Sequence, residues 1–134
     1  MTASQNKEIV RHLVEEVLGR GHVELIPALV AADHVGHLPI GDHYGPEGVR
    51  IDVAAYRAAV PDLIVTLEDL LADGDKVVRR FSLRGTHRGT FLGVPASGQA
   101  VVLRGIAIDR VARGQLAESW VQVEDLVMAA EVAR

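Results

Sequence analysis

Glu124, Arg110 and His37 are the side chains whose types and settings could move protons. Glu124 ends an alternating run in which Trp120, Gln122 and Glu124 fall on one face and Val121, Val123 and Asp125 on the other. A carboxylate in water is a poor base toward carbon, but burial raises its pKa toward the working pH and sharpens its interaction with developing charge. Arg110 shares a face with Ile106 and Ile108 on the preceding run. Buried beside Glu124, it would hold an enolate oxygen or lower a carboxylate pKa. His37 lies between Val35 and Leu38, ahead of Pro39, and a histidine at a pocket rim can shuttle protons near neutrality. Glu124, His37 and Arg110 are thus the candidate catalytic residues. Trp120, Gln122, Phe81 and Tyr56 are the candidate substrate-contacting residues. Each has a plainer alternative: a solvated strand-end carboxylate, an arginine exposed near the Arg113-Gly114 turn, and aromatics that simply pack in a core.

The remaining polar residues offer less. His34 and His43 have a weaker claim than His37, and the spacing of the three histidines presents no fixed helical face. With no cysteine in the chain, no metal site is expected. His87, in Gly85-Thr86-His87, reads as a turn-shaping residue. Arg80, Ser82 and Arg84 alternate against Val77, Phe81 and Leu83, while Arg79 breaks that alternation and is expected at an edge. No Gly-x-Ser-x-Gly elbow, P-loop, dinucleotide fingerprint or His-Glu-x-x-His motif is present. Serine-triad hydrolysis and nucleotide cofactors are disfavoured, and no cofactor is expected.

The elements that must position these residues follow from periodicity. Apolar residues recur at helical spacing from Lys7 to Leu18, with Ser4 or Asn6 as cap, then more briefly from His22 to Val30. A polar loop holds His34, His37 and His43. A third helix opens at Gly45-Pro46 and stops at Pro61. Beyond it the pattern alternates over Leu63–Leu67, Val77–Arg84, Val101–Val111 and Leu116–Val123, four strands parted by glycine-bearing turns. Helices followed by consecutive strands predict an α+β fold, with a curved antiparallel sheet wrapped on three N-terminal helices around one pocket.

The chain has 134 residues, 49% of them hydrophobic, enough for one core and one domain spanning residues 1–134. A net charge of −4 with scattered basic residues gives little support to nucleic-acid binding. No apolar run is long enough to span a membrane and no leader pattern opens the chain, so a soluble, unprocessed, cytoplasmic protein is expected.

An ordered series of short segments carries a family likeness: Pro61-Asp62-Leu63, Glu68-Asp69-Leu70, Gly74-Asp75-Lys76-Val77, Arg80-Phe81, Gly85-Thr86-His87-Arg88-Gly89, Leu92-Gly93-Val94-Pro95, Ser97-Gly98, Gly105-Ile106, Asp109-Arg110 and Glu118-Ser119-Trp120. With His37-Leu38-Pro39 and Gly45-Pro46-Glu47-Gly48 they cover nearly the whole chain, which resembles the SnoaL-like polyketide cyclases of the NTF2-like superfamily. The resemblance implies a cone-shaped α+β barrel, commonly dimeric. It also implies a small, hydrophobic, carbonyl-bearing substrate and ring closure by a cofactor-free intramolecular aldol reaction. Where these cyclases usually carry an acid/base aspartate four residues beyond the tryptophan, this chain has Glu124, followed by Asp125. A hydroxylase, isomerase or hydrolase of a small cyclic substrate, or a non-catalytic binding module, is the alternative on the same fold.

Overall fold

The computed structural model describes residues 2–124. Thr2 opens α1 (Ala3–His12): its hydroxyl accepts from the Gln5 N–H while the Gln5 side chain accepts from the Thr2 N–H. This reciprocal cap satisfies two donors that a helix start would otherwise leave unpaired. It lies upstream of the expected Ser4 or Asn6, and Asn6 is instead buried, donating to the Gly74 carbonyl. The winding widens to π-helix over Leu13–Leu18, keeping Leu13, Val14 and Val17 on the buried side with Val10.

The second expected helix shrinks to a 3-10 turn, Val23–Leu25, and one turn of α-helix, α2 (Ile26–Leu29). The expected loop after it is extended backbone: β1 (Val30–Leu38) and β2 (Gly41–Tyr44) pair antiparallel. Histidine and glycine at the inward positions of β1 hid its alternation. α3 (Gly45–Ala59) begins with Pro46 in its first turn, as expected.

Four longer strands follow: β3 (Ile64–Asp73), β4 (Lys76–Thr86), β5 (Ala100–Ala112) and β6 (Gln115–Val123). Arg113 and Gly114 at the β5–β6 turn both have positive φ, 53° and 78°, the twist-compatible geometry of a tight hairpin. The six strands form one open sheet in the order β2-β1-β6-β5-β4-β3. It is not wholly antiparallel as expected, because β6 returns beside β1 and runs parallel to it. Register shifts interrupt the ladder between Leu67 and Asp69 in β3 and between Arg110 and Val111, opposite β6. Such irregularities bend and twist strands, which lets the sheet curve around the helices.

The core lies between the helices and the inner face of the sheet. Val10, Val14, Val17, Ile26, Val53, Val77 and Leu116 form one cluster, and Ala59, Val60, Phe81, Leu83, Leu103 and Ala107 form a second. Each large side chain buried there contributes roughly 1.5–3 kcal/mol.

Candidate active site

The two clusters leave a cavity between α3, the first helical segment and the inner sheet face. Its wall includes Val14, Val53, Leu83, Val121 and Val123, and its polar groups come from His34, Asp52, Tyr56, Arg79 and Ser119. Four of the inward polar side chains form one buried chain. Arg79 donates from Nε to Asp109 Oδ2 at 2.7 Å and from Nη2 to Oδ1 at 3.3 Å. Ser119 donates its hydroxyl to Asp109 Oδ1 at 2.6 Å, and His34 Nε2 lies 3.0 Å from Ser119 Oγ. His34, Arg79, Asp109 and Ser119 are all buried. Arg79 is therefore on the inner face of a central strand, not at the edge expected for it, with its guanidinium 5.2 Å from the centre of the Phe81 ring.

Proton counting along this chain sets the histidine tautomer. The Ser119 hydroxyl has a single proton and gives it to a carboxylate that can only accept, so Ser119 Oγ accepts from His34 Nε2–H. Nδ1 of His34 then carries a lone pair, and it is buried without a hydrogen-bond partner. Burial lowers the His34 pKa, with Asp109 opposing that shift and Arg79 reinforcing it. The ring is thus held toward its neutral form, with a buried, unpartnered acceptor nitrogen on a residue that lines the cavity and an oriented carboxylate behind it, the arrangement of a general base.

The cavity lining itself carries one carboxylate, Asp52, apart from the fully buried Asp109. Asp52 projects from α3 and is held by His43 of β2, with Nδ1 to Oδ1 2.6 Å. Burial raises the Asp52 pKa, the nearby His43 opposing it. Tyr56, one turn further along α3, is raised too, first by burial and then by the Asp52 charge, and so stays a hydrogen-bond donor. Its ring packs against Phe91 with centroids 5.0 Å apart.

Of the residues singled out in the sequence, Tyr56 and Phe81 line the cavity. The others do not reach it, and their expected placement is corrected. Glu124 and Gln122 lie on the outer face of the sheet, beside Arg80, Arg84 and Arg104. Arg104 chelates the Glu124 carboxylate at 2.6 and 3.1 Å, and this bonding lowers the Glu124 pKa instead of raising it. Trp120 is 39% exposed and stacks on His37 with centroids 5.7 Å apart. His37 bridges Asp42 and Glu118 at 2.9 and 2.7 Å, which raises its pKa, and Arg110 reaches the same Glu118 at 3.4 Å. Arg110 lies outward by the regular alternation of β5, with Asp109 and Val111 inward; for Trp120, Gln122 and Glu124 the physical reason is the shift beside Arg110. Leu116 pairs with Val111 and Glu118 with Arg110, so Ala117 is an extra residue that reverses the alternation. Ser119, Val121 and Val123 thereby join Leu116 on the inner face. Asp125 lies outside the described residues.

His34 was discounted in the sequence, and Ser119 and Asp109 were not singled out as chemical groups at all. The available signal was polarity at inward parity: Asp109 shares its face with Val101, Leu103 and Ala107, and all are buried.

A model described as SnoaL-like polyketide cyclase matches residues 8–132. The chain belongs to this SnoaL-like family. Among solved structures, a candidate SnoaL-like polyketide cyclase from Jannaschia sp. CCS1 is 27% identical, with 98% of this chain and 92% of that one covered and a TM-score of 0.85. IdmH from Streptomyces antibioticus, described as a candidate polyketide cyclase, is 29% identical over 97% of this chain and 99% of its own, with a TM-score of 0.82. AclR from Streptomyces galilaeus, described as a candidate hydroxylase, is 22% identical over 98% of this chain and 82% of its own, with a TM-score of 0.82, a likeness of fold alone. No curated protein matches the sequence. The SnoaL-like chain thus has the NTF2-like α+β architecture expected of it, an open curved sheet packed on its helices. Among the described residues no helix is long and apolar enough to cross a membrane.

Proposed function

We propose that this SnoaL-like chain is a cofactor-independent acid/base enzyme acting on a small, largely apolar, carbonyl-bearing molecule. Its most specific form is a polyketide cyclase that closes a ring by intramolecular aldol reaction. The observation that carries this reading is the buried, unpartnered Nδ1 of His34, a residue lining a mostly apolar cavity, with its other nitrogen fixed through Ser119 to the Arg79-bound Asp109. In that reading Nδ1 takes a proton from the carbon next to a carbonyl. The imidazolium that forms is stabilised through Ser119 by the carboxylate, and the electron pair moves to the carbonyl oxygen as an enolate. Tyr56 serves as a hydrogen-bond donor in the same cavity. General-base groups of this kind contribute about 10²–10⁴-fold in rate.

The test follows α-tetralone in D2O by proton NMR, reading exchange of the protons next to its carbonyl. The wild-type chain should accelerate exchange, and His34→Gln, which keeps an N–H for Ser119 but has no imidazole lone pair, should lose about a hundredfold of it. Glu124→Gln should exchange as the wild type does. Equal rates in wild type and a folded His34→Gln would sink the assignment.

The homodimer expected from the resemblance has support on the outer face, where Val102, Ile106, Ile108 and Trp120 are exposed on two paired strands. Sedimentation should give a dimer that Ile106→Lys converts to monomer. A wild-type monomer at all concentrations would refute it.

A further inference from the structure

The Asp52–His43 pair has a different connection from the His34 chain. His34 is linked inward, through Ser119 to the Asp109–Arg79 pair. Asp52 is linked outward: Oδ1 accepts from His43 on the short edge strand β2, and the two side chains are 25% and 30% exposed. Among the described residues, Oδ2 of Asp52 accepts no hydrogen bond and no lysine or arginine pairs with this carboxylate, although Asp52 lines the cavity. An acid that lines a cavity and has one oxygen held by a solvent-reaching imidazole is placed to pass protons between the two. The fit around His43 is close, since a side-chain carbon added at Gly48 would come within 3.1 Å of His43 Cβ. Gly36 lies between the two units. A carbon there would stand 3.5 Å from His34 Cε1 and 3.8 Å from the His43 carbonyl oxygen, so the chain keeps that intervening position free of a side chain.

We propose that Asp52 is a second catalytic residue of this cavity, exchanging a proton with the substrate oxygen while His34 works on carbon, and that His43 is the positioning residue that renews this proton from solvent. The inference rests on the His34 reading above. In the forward direction His34 Nδ1 takes the carbon-bound proton, the enolate carbon forms a bond to the acceptor carbonyl carbon, and that carbonyl's π pair becomes an alkoxide. The alkoxide takes a proton from Asp52. The pair regains one from solvent through His43, and His34 releases its own on product departure, so no oxidant, reductant or further reactant is needed. The reverse direction uses the same groups: Asp52 accepts the hydroxyl proton, the carbon–carbon bond breaks, and His34 protonates the enolate carbon.

Two probes separate the units. Exchange on α-tetralone in D2O reads His34 alone, and cleavage of 4-hydroxy-4-phenylbutan-2-one to benzaldehyde and acetone reads both. Asp52→Asn should cut cleavage about a hundredfold and leave exchange within about threefold of wild type, whereas His34→Gln should lose both. His43→Asn retains an amide N–H for Asp52 but carries no transferable proton. It should cut cleavage about tenfold, and imidazole added to the buffer should restore it, which a merely structural histidine would not allow. Cleavage within about twofold of wild type in both Asp52→Asn and His43→Asn would overturn the proposal. So would wild-type exchange without cleavage, or loss of both reactions in a folded Asp52→Asn, which would make Asp52 the group that opens the carbon–hydrogen bond. If the wild type performs neither reaction, the His34 reading fails and this one fails with it.

Discussion

The two faces of the sheet hold ion pairs of nearly the same local geometry in opposite surroundings. On the inner face Arg79 donates from Nε at 2.7 Å to Asp109, with side chains 9% and 0% exposed. On the outer face Arg104 donates from Nε at 2.6 Å to Glu124, with side chains 67% and 19% exposed. His34 and His37, on the same strand, repeat the contrast: the inner ring is pushed toward neutrality by burial, and the outer one toward its charged form by Glu118 and Asp42. The difference teaches that the hydrogen bond alone does not decide what a polar group contributes. Water outside screens the pair and can replace either partner, whereas burial inside makes the loss of one partner costly.

The sharpest way to break this contrast is to remove one acid from each face. Asp109→Asn leaves the Arg79 charge buried without compensation and should cost about 3–5 kcal/mol of unfolding free energy in a denaturant titration. Glu124→Gln should cost a small fraction of that. Similar losses from the two would show that the Asp109 pair is not isolated from solvent.

Packing should follow the same division. A side-chain carbon at Gly105 would fall 2.5 Å from the Phe81 ring and 3.1 Å from Val123. Gly105→Ala should therefore cost about 1–3 kcal/mol through over-packing, while Leu71→Ala, exposed on β3, should cost less. A stable Gly105→Ala would mean that the Phe81 ring has room to move.

The histidines should pull the pH dependence of stability in opposite directions. For His34 the folded pKa is lowered from 6.5; below that value the unfolded chain binds more protons, so stability falls with pH until the folded pKa is passed. For His37 the folded pKa is raised from 6.5; its stabilisation is complete below 6.5 and is lost as pH rises through the folded value. Histidine-ring NMR titration should find His34 below and His37 above 6.5, and His34→Gln should flatten the loss of stability on the acid side of neutrality. The reverse order would contradict the two environments.

The mildest change tests the space beside the base. Gly36→Ala puts a methyl at ordinary contact distance from His34 Cε1, so stability should hold or rise slightly, since glycine is a poor strand residue. Exchange on α-tetralone should drop severalfold as the methyl crowds His34. Unchanged exchange would place the substrate elsewhere in the cavity.

Much of the fold was legible in the sequence. Turn glycines, the Pro46 start of α3 and the alternation of β3 to β6 mark elements whose physics is local, and the ordered motifs carried the family. Alternation states which residues of a strand share a face, so Val121 and Val123 could be grouped apart from Trp120 and Glu124. It does not state which group faces inward. That was decided by one extra residue, Ala117, which reverses the parity of β6 after Leu116, and by the helices that cover the other side. The polar chain in the cavity was equally hidden, because His34 meets Ser119 across 85 residues and Arg79 meets Asp109 across 30. No local period connects residues so far apart. Their pairing arises only when β1, β4, β5 and β6 come together in the curved sheet and turn these side chains to the same inner face.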